Sequence, residues 1–189
     1  MNKPVHYNFD VTRGLQRFRE LIVYICNKCA DDPGFGATKL NKILYHSDFR
    51  SFERFGVPLT GMAYQKLQFG PAPRALLPVI RELSSEGAVR EAPPQDGPFG
   101  QKRTVALRGA YLDHFTRDEL DLVDEVIREC WGKSAATVSD ESHGVAWRAR
   151  NIGESIPYEA VFLSDERPTE DDVSDLKALN EKYGWGLQL

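Results

Sequence analysis

The sequence predicts an α+β, mainly α-helical protein: a compact helical domain carrying a small antiparallel sheet of two or three short strands. Three observations predict it. Several segments repeat apolar residues at intervals of three and four, the period of a helix with one buried face. Short extended runs separated by Gly and Pro stand between them, at Met62 to Phe69, Ala88 to Glu91 and Arg103 to Arg108. The chain has 189 residues, 41% hydrophobic and 28% charged, which is ordinary for a globular domain and long enough to bury roughly 70% of its unfolded surface without disulfides or metals.

The first helix is expected from Thr12 to Ala30. Leu15, Phe18, Leu21, Ile22, Ile25, Cys26 and Cys29 form its stripe, Asp10 or Thr12 its cap, and Asp31-Asp32-Pro33-Gly34 its end. The second runs from Thr38 to Phe55 around Leu40, Ile43, Leu44, Phe52 and Phe55, widened by Tyr45 and Phe49, and stops at Gly56-Val57-Pro58. Leu59-Thr60-Gly61 reads as a turn. Gly70-Pro71-Ala72-Pro73 reads as a rigid corner, because each proline restricts itself and its predecessor, and it leaves Arg74 at the start of a third helix. That helix reaches Glu86 with Leu76, Leu77, Ile80 and Leu83 inward. Ala92 to Gly100 is Pro/Gly-rich and too long for a tight hairpin, so it reads as a mobile wing.

Thr116-Arg117-Asp118-Glu119 is a capping box that opens a fourth helix, with Leu120, Val123, Ile127 and Cys130 to Trp131 on its buried face. A short helix follows from Ser134 or Ala135 to Ser142, then a helical turn at Trp147, and a last helix from Thr169 to Tyr183. One domain over 1–160 and a helical extension over 161–189 are the expected organisation.

Composition excludes several classes. No apolar run approaches the ~18–20 residues of a membrane span, no apolar stretch follows the first charged residue as in a signal peptide, and three widely spaced cysteines form no disulfide framework. A reducing cytoplasm is the expected location. The net charge of −4 hides an asymmetry: residues 1–110 hold 16 basic against 10 acidic side chains, and residues 111–189 hold 8 against 18. This is either ordinary helix decoration or a bipolar surface that steers a charged partner.

Each candidate for chemistry has a plainer reading. Cys26-Asn27-Lys28-Cys29 lies near the end of a helix, where the dipole does not favour a thiolate, and reads as core. A zinc site would lack ligands. Gly34-Phe35-Gly36-Ala37-Thr38-Lys39 has glycines and a lysine but not the order of a phosphate loop, although an anion could rest on that helix start. Asp140-Glu141-Ser142-His143 gathers acid, hydroxyl and imidazole without a zinc-peptidase or nucleophile-elbow pattern. His46, His114 and His143 are ordinary structural histidines on this reading, and no enzyme activity, cofactor or metal is expected.

Thr38-Lys39-Leu40-Asn41-Lys42-Ile43-Leu44-Tyr45-His46-Ser47-Asp48-Phe49, Gly56-Val57-Pro58-Leu59-Thr60-Gly61, Tyr64 and Gly70-Pro71-Ala72-Pro73, in that order, resemble the Panacea domain, the SocA-like antitoxin domain. Lys133-Ser134-Ala135, Val138-Ser139-Asp140, Ser142-His143, Trp147 and Ile156-Pro157-Tyr158 are similar to its C-terminal part, so the likeness spans residues 15 to 160. Ala72 stands where the family often has Val, and His46-Ser47 where it has a more apolar pair. The resemblance implies a non-enzymatic antitoxin that neutralises a cognate protein toxin by direct contact, in a bacterial phage or mobile-element setting. One family member implies an adaptor that delivers its toxin to a AAA+ protease. The partner surface is expected at Lys39, Lys42, Asp48, Phe49, Arg50, Phe52, Arg54, Tyr64 and Arg74, on or beside the strongest motif, because interfaces favour aromatic and arginine anchors. The alternative is a DNA-binding autoregulator with a winged-helix outline, whose Lys39, Lys42, Arg50 and Arg54 would reach phosphates.

Overall fold

The computed structural model describes residues 10–93, 102–184 and 186. The order is α1 (Gly14–Lys28), α2 (Ala37–Phe55), β1 (Tyr64–Leu67), β2 (Gly70–Pro73), α3 (Leu76–Ser85), β3 (Val89–Ala92), β4 (Arg103–Ala106), α4 (Arg117–Cys130), α5 (Ala135–Glu141), α6 (Val145–Arg148), β5 (Ser155–Ile156), a 3-10 turn (Tyr158–Phe162) and α7 (Glu170–Tyr183). The fold is mainly helical α+β, as its periodicity predicts. The small sheet is two separate antiparallel sheets, β2-β1-β5 and β3-β4. Apart from Ala92 and Pro93, the Pro/Gly-rich linker lies outside the described residues.

Helix α2 is the axis. Lys39, Leu40, Lys42, Ile43, Leu44, Tyr45, Ser47, Asp48, Phe49, Ser51 and Phe52 are buried, which is most of its circumference. One side joins Phe18, Leu21, Ile22 and Ile25 of α1, Val79 and Leu83 of α3, and Leu122, Val123 and Val126 of α4 in the main core. The other side puts Tyr45, Phe49 and Phe52 into a second, aromatic core with Tyr64, Ile156 and Tyr158. The Phe49 ring meets Tyr64 edge-on at 5.4 Å and Tyr158 at 4.8 Å, spacings at which aromatic pairs add attraction beyond area burial.

Several local expectations need correction. Arg13, in the left-handed region, stands at the start of α1, and neither Asp10 nor Thr12 caps it. Leu15 of α1, Phe55 of α2, Leu77 of α3 and Trp131 after α4 are exposed, whereas Leu122 and Val126 of α4 are buried. Gly70-Pro71-Ala72-Pro73 is a β-strand, paired Tyr64↔Pro73 and Lys66↔Pro71 with β1. It is an edge strand, and its two prolines alternate, so neither needs to donate to the ladder. The capping box of α4, with Glu119 N donating to Thr116 Oγ1 and Thr116 N to Glu119 Oε2, forms as its spacing predicts.

The turn before α2 is closed by its own carboxylate. Asp32 accepts from Gly34 N at 3.0 Å and from Lys39 Nζ at 2.7 Å, and both charged side chains are buried. The carboxylate reaches Gly34 and Lys39, while the first amide of α2, Ala37 N, donates to the Lys102 carbonyl. Removing one partner of such a pair strands the other charge. Asp32→Ala is expected to lower unfolding free energy in urea by roughly 3–5 kcal/mol, and a loss below about 1 kcal/mol would show that the pair contributes little.

Candidate functional site

The residues of the strongest motif face inward. Asp48, fully buried, accepts from Thr60 N at 2.7 Å, Thr60 Oγ1 at 2.5 Å and Tyr64 OH at 2.8 Å. Tyr64 OH also lies 3.0 Å from the Leu44 carbonyl. Burial raises the Asp48 carboxyl to about 6, against the opposing pull of those three donors. Burial and the neighbouring carboxylate hold the Tyr64 phenol well above its ordinary value. These bonds tie the Leu59–Gly61 turn and the start of β1 to α2.

The nine expected partner-binding residues thus separate by burial. Lys39, Lys42, Asp48, Phe49, Phe52 and Tyr64 are buried and do not form an outer surface. Lys39 is neutralised by Asp32, and Lys42 donates to the Pro71 carbonyl at 3.0 Å. Arg74 is half-buried and binds Gln65 Oε1 at 2.8 Å and the Gly153 carbonyl at 2.6 Å, joining β1 to the loop before β5. Only Arg50 and Arg54 reach outward, and each is engaged by α4: Arg50 with Glu129 at 2.6 Å and Arg54 with Glu125 at 3.0 Å. The four cations of the DNA-binding reading are therefore two buried lysines and two arginines already paired with carboxylates.

The other chemical candidates fall into place as structure. Cys26, Cys29 and Cys130 are buried free thiols, raised by burial, Cys29 to about 12 and Cys130 to about 11. His143 stacks on Trp147 with ring centroids 4.0 Å apart, and Lys66 Nζ lies 3.8 Å from the centre of the Trp147 ring. Burial lowers the His143 imidazole below its ordinary value. Among the described residues, no group of three or more His, Cys, Asp or Glu side chains is placed to hold a metal ion, and no helix is long and apolar enough to cross a membrane.

The structure also holds an open groove. Its walls are the first turns of α2, the β1–β2 turn and α5. Thr38 and Phe69 border two adjoining hollows, one of about 380 Å³ against Ala135, Ala136, Ser139 and Asp140, the other of about 140 Å³ against Asn41, Lys42, Leu67 and Gly70. Phe69, at the hairpin turn, is 67% exposed. The walls are fixed to one another: Ser139 Oγ donates to the Phe69 carbonyl at 3.0 Å, Trp147 Nε1 to the Leu67 carbonyl at 3.0 Å, and Lys42 to Pro71. An aromatic directly before a Gly-Pro pair, between two extended runs, is the signal for this turn. It is weak, because Phe69 reads equally well as the last residue of a strand.

A family model described as "Antitoxin SocA-like, Panacea domain" matches residues 40–148, from α2 through α6. No curated protein matches the chain, and no solved structure matches it.

The Asp48 carboxyl gives a pH test. Its folded value lies above the ordinary 3.8 of a free aspartate, so between about pH 4 and 6 the folded chain holds more protons than the unfolded one. Its contribution to stability is full below that window and declines as pH rises through it. Wild type is expected to lose on the order of 2–3 kcal/mol more than Asp48→Asn between pH 4 and pH 7 in paired urea titrations. Parallel pH profiles would show that Asp48 ionises without penalty.

Proposed function

The chain belongs to the SocA-like antitoxin family through its Panacea domain, and from that premise we propose that it neutralises a cognate protein toxin by direct contact, with no chemical step of its own. The observation that carries this reading is the family match over residues 40–148, which takes in α2 from Leu40 onward, the β1–β2 hairpin and α5.

Physical features support a contact mechanism. The groove is preformed, so little conformational entropy is lost when a partner docks. Phe69 offers an exposed aromatic anchor beside small side chains, Ala135 and Ala136, and hot spots of interfaces are commonly aromatic groups of this kind. In its finer form the proposal includes an adaptor role, in which the bound toxin is carried to a AAA+ protease, in the cytoplasm of a bacterium hosting a phage or mobile element. DNA-binding autoregulation draws less support, since Arg50 and Arg54 already meet Glu129 and Glu125.

Co-expression with the product of the neighbouring gene tests the proposal. Growth is expected to be restored and the two proteins to co-purify. Phe69→Ala is expected to weaken the complex at least 10-fold in calorimetry, a loss of about 1.4 kcal/mol or more, while the melting temperature changes little. Persistent toxicity with no co-purification would end the antitoxin reading.

A further inference from the structure

Three cations are buried among the described residues: Arg17, Lys39 and Lys42. Arg17 meets Glu119 at 2.6 Å and Lys39 meets Asp32 at 2.7 Å. Lys42 is 2% exposed, and its ammonium has one acceptor, the Pro71 carbonyl at 3.0 Å. No carboxylate pairs with it. The titratable groups that feel it are His46, one turn along α2, and His143, after α5, and neither can supply a negative charge. Buried charges are ordinarily paired, because the interior does not replace the water they leave. The cost is visible in the lysine itself, which burial lowers to about 7.

The geometry beside Lys42 shows where a counter-charge can enter. Lys42 and Gly70 both line the 140 Å³ hollow between α2 and the β1–β2 turn. Gly70 has φ +97°, and a side chain there would come within 2.4 Å of both Lys42 Nζ and Ser142 Oγ. The bare glycine therefore lets the ammonium and the hydroxyl pack against the β1–β2 turn, at the wall of the hollow. Leu67 and Phe69 supply an apolar rim. The hollow is small beside the ~300–1,000 Å³ of a pocket for a nucleotide or drug-sized ligand, and fits the end of one side chain.

We infer that this hollow receives a carboxylate, carried by an aspartate or glutamate side chain of the protein partner, with the carboxylate on Lys42 Nζ and the methylene stem against Leu67 and Phe69. The inference rests on the toxin-binding reading for the carrier and on the unpaired Lys42 for the chemistry. The docked acid gives Lys42 the ion pair that the free chain lacks. An uncharged side chain at the same point would leave the ammonium stranded, so the pocket selects for acid.

Two measurements on the full chain test it. In protein labelled with 13C-lysine, the Lys42 Cε resonance is followed at pH 6.5 during titration with sodium propionate, against sodium chloride at equal ionic strength. The resonance is assigned by its loss in Lys42→Met, or in Lys42→Arg should the methionine variant not fold. A saturable shift specific to propionate is expected, and its absence overturns the carboxylate pocket. Separately, the affinity for the neighbouring gene's product is compared between wild type and the folded variant. Lys42→Met is expected to bind at least 10-fold more weakly, and Lys42→Arg, too long for the hollow, is expected to do the same, with circular dichroism establishing that the variant compared is folded. Unchanged affinity overturns the protein-borne source even where propionate binds. Failure of wild type to bind that product at all removes the toxin-binding reading, and with it the carrier, while the propionate result still judges the chemistry of the pocket.

Discussion

The carboxylate of Asp48 accepts three hydrogen bonds in the middle of the protein, all from the segment that follows α2. A helix buried on nearly every side cannot leave such a group unanswered, and the answer dictates the path of the chain. Thr60 must turn its amide and hydroxyl back toward α2, and Tyr64 must point its phenol into the same space. That fixes where β1 begins and which way it runs. β2 then lies between β1 and α2, with its outward Pro71 carbonyl on Lys42. The hairpin turn bearing Phe69 comes to rest beside α5, and the groove exists because of that placement.

The polar residues of α2 therefore act chiefly as internal fasteners. Lys39 holds the turn before the helix, Asp48 the turn after it, and Lys42 the edge strand beside it. Lys39 meets a carboxylate, and Asp48 accepts from three donors. The third has only a neutral carbonyl, and this inequality, more than exposure or charge count, marks the Lys42 end of the groove as a place where another molecule's charge would be stabilised.

The opposite charges of the two halves of the chain have a comparable internal explanation. Basic residues of α1 and α2 meet acidic residues of α4: Lys28 with Asp124, Arg50 with Glu129, and Arg54 with Glu125. Each pair is solvent-exposed in part and contributes little alone, but together they favour one seating of α4 on α2. Helix α7 is different. It carries acidic residues in its first turn, a capping box from Thr169 and Asp172, and no buried side chain, so its charge is not used in docking to the rest of the described chain.

Local sequence determined the helices, because the positions that make them are neighbours along the chain. Period and caps located α2, α4, α5 and α7 to within about two residues, and the order Lys-Leu, Tyr, Asp, Gly-Pro carried the family likeness. Tertiary structure alone decided what the motif residues do. Lys42 finds Pro71 across 29 positions, Ser139 finds Phe69 across 70, and Trp147 finds Leu67 across 80. No local pattern encodes those meetings. A lysine or aspartate on a helix looks the same in sequence whether it faces water or a distant carbonyl, and a Gly-Pro-Ala-Pro segment becomes a strand only when a neighbouring edge is there to pair with it.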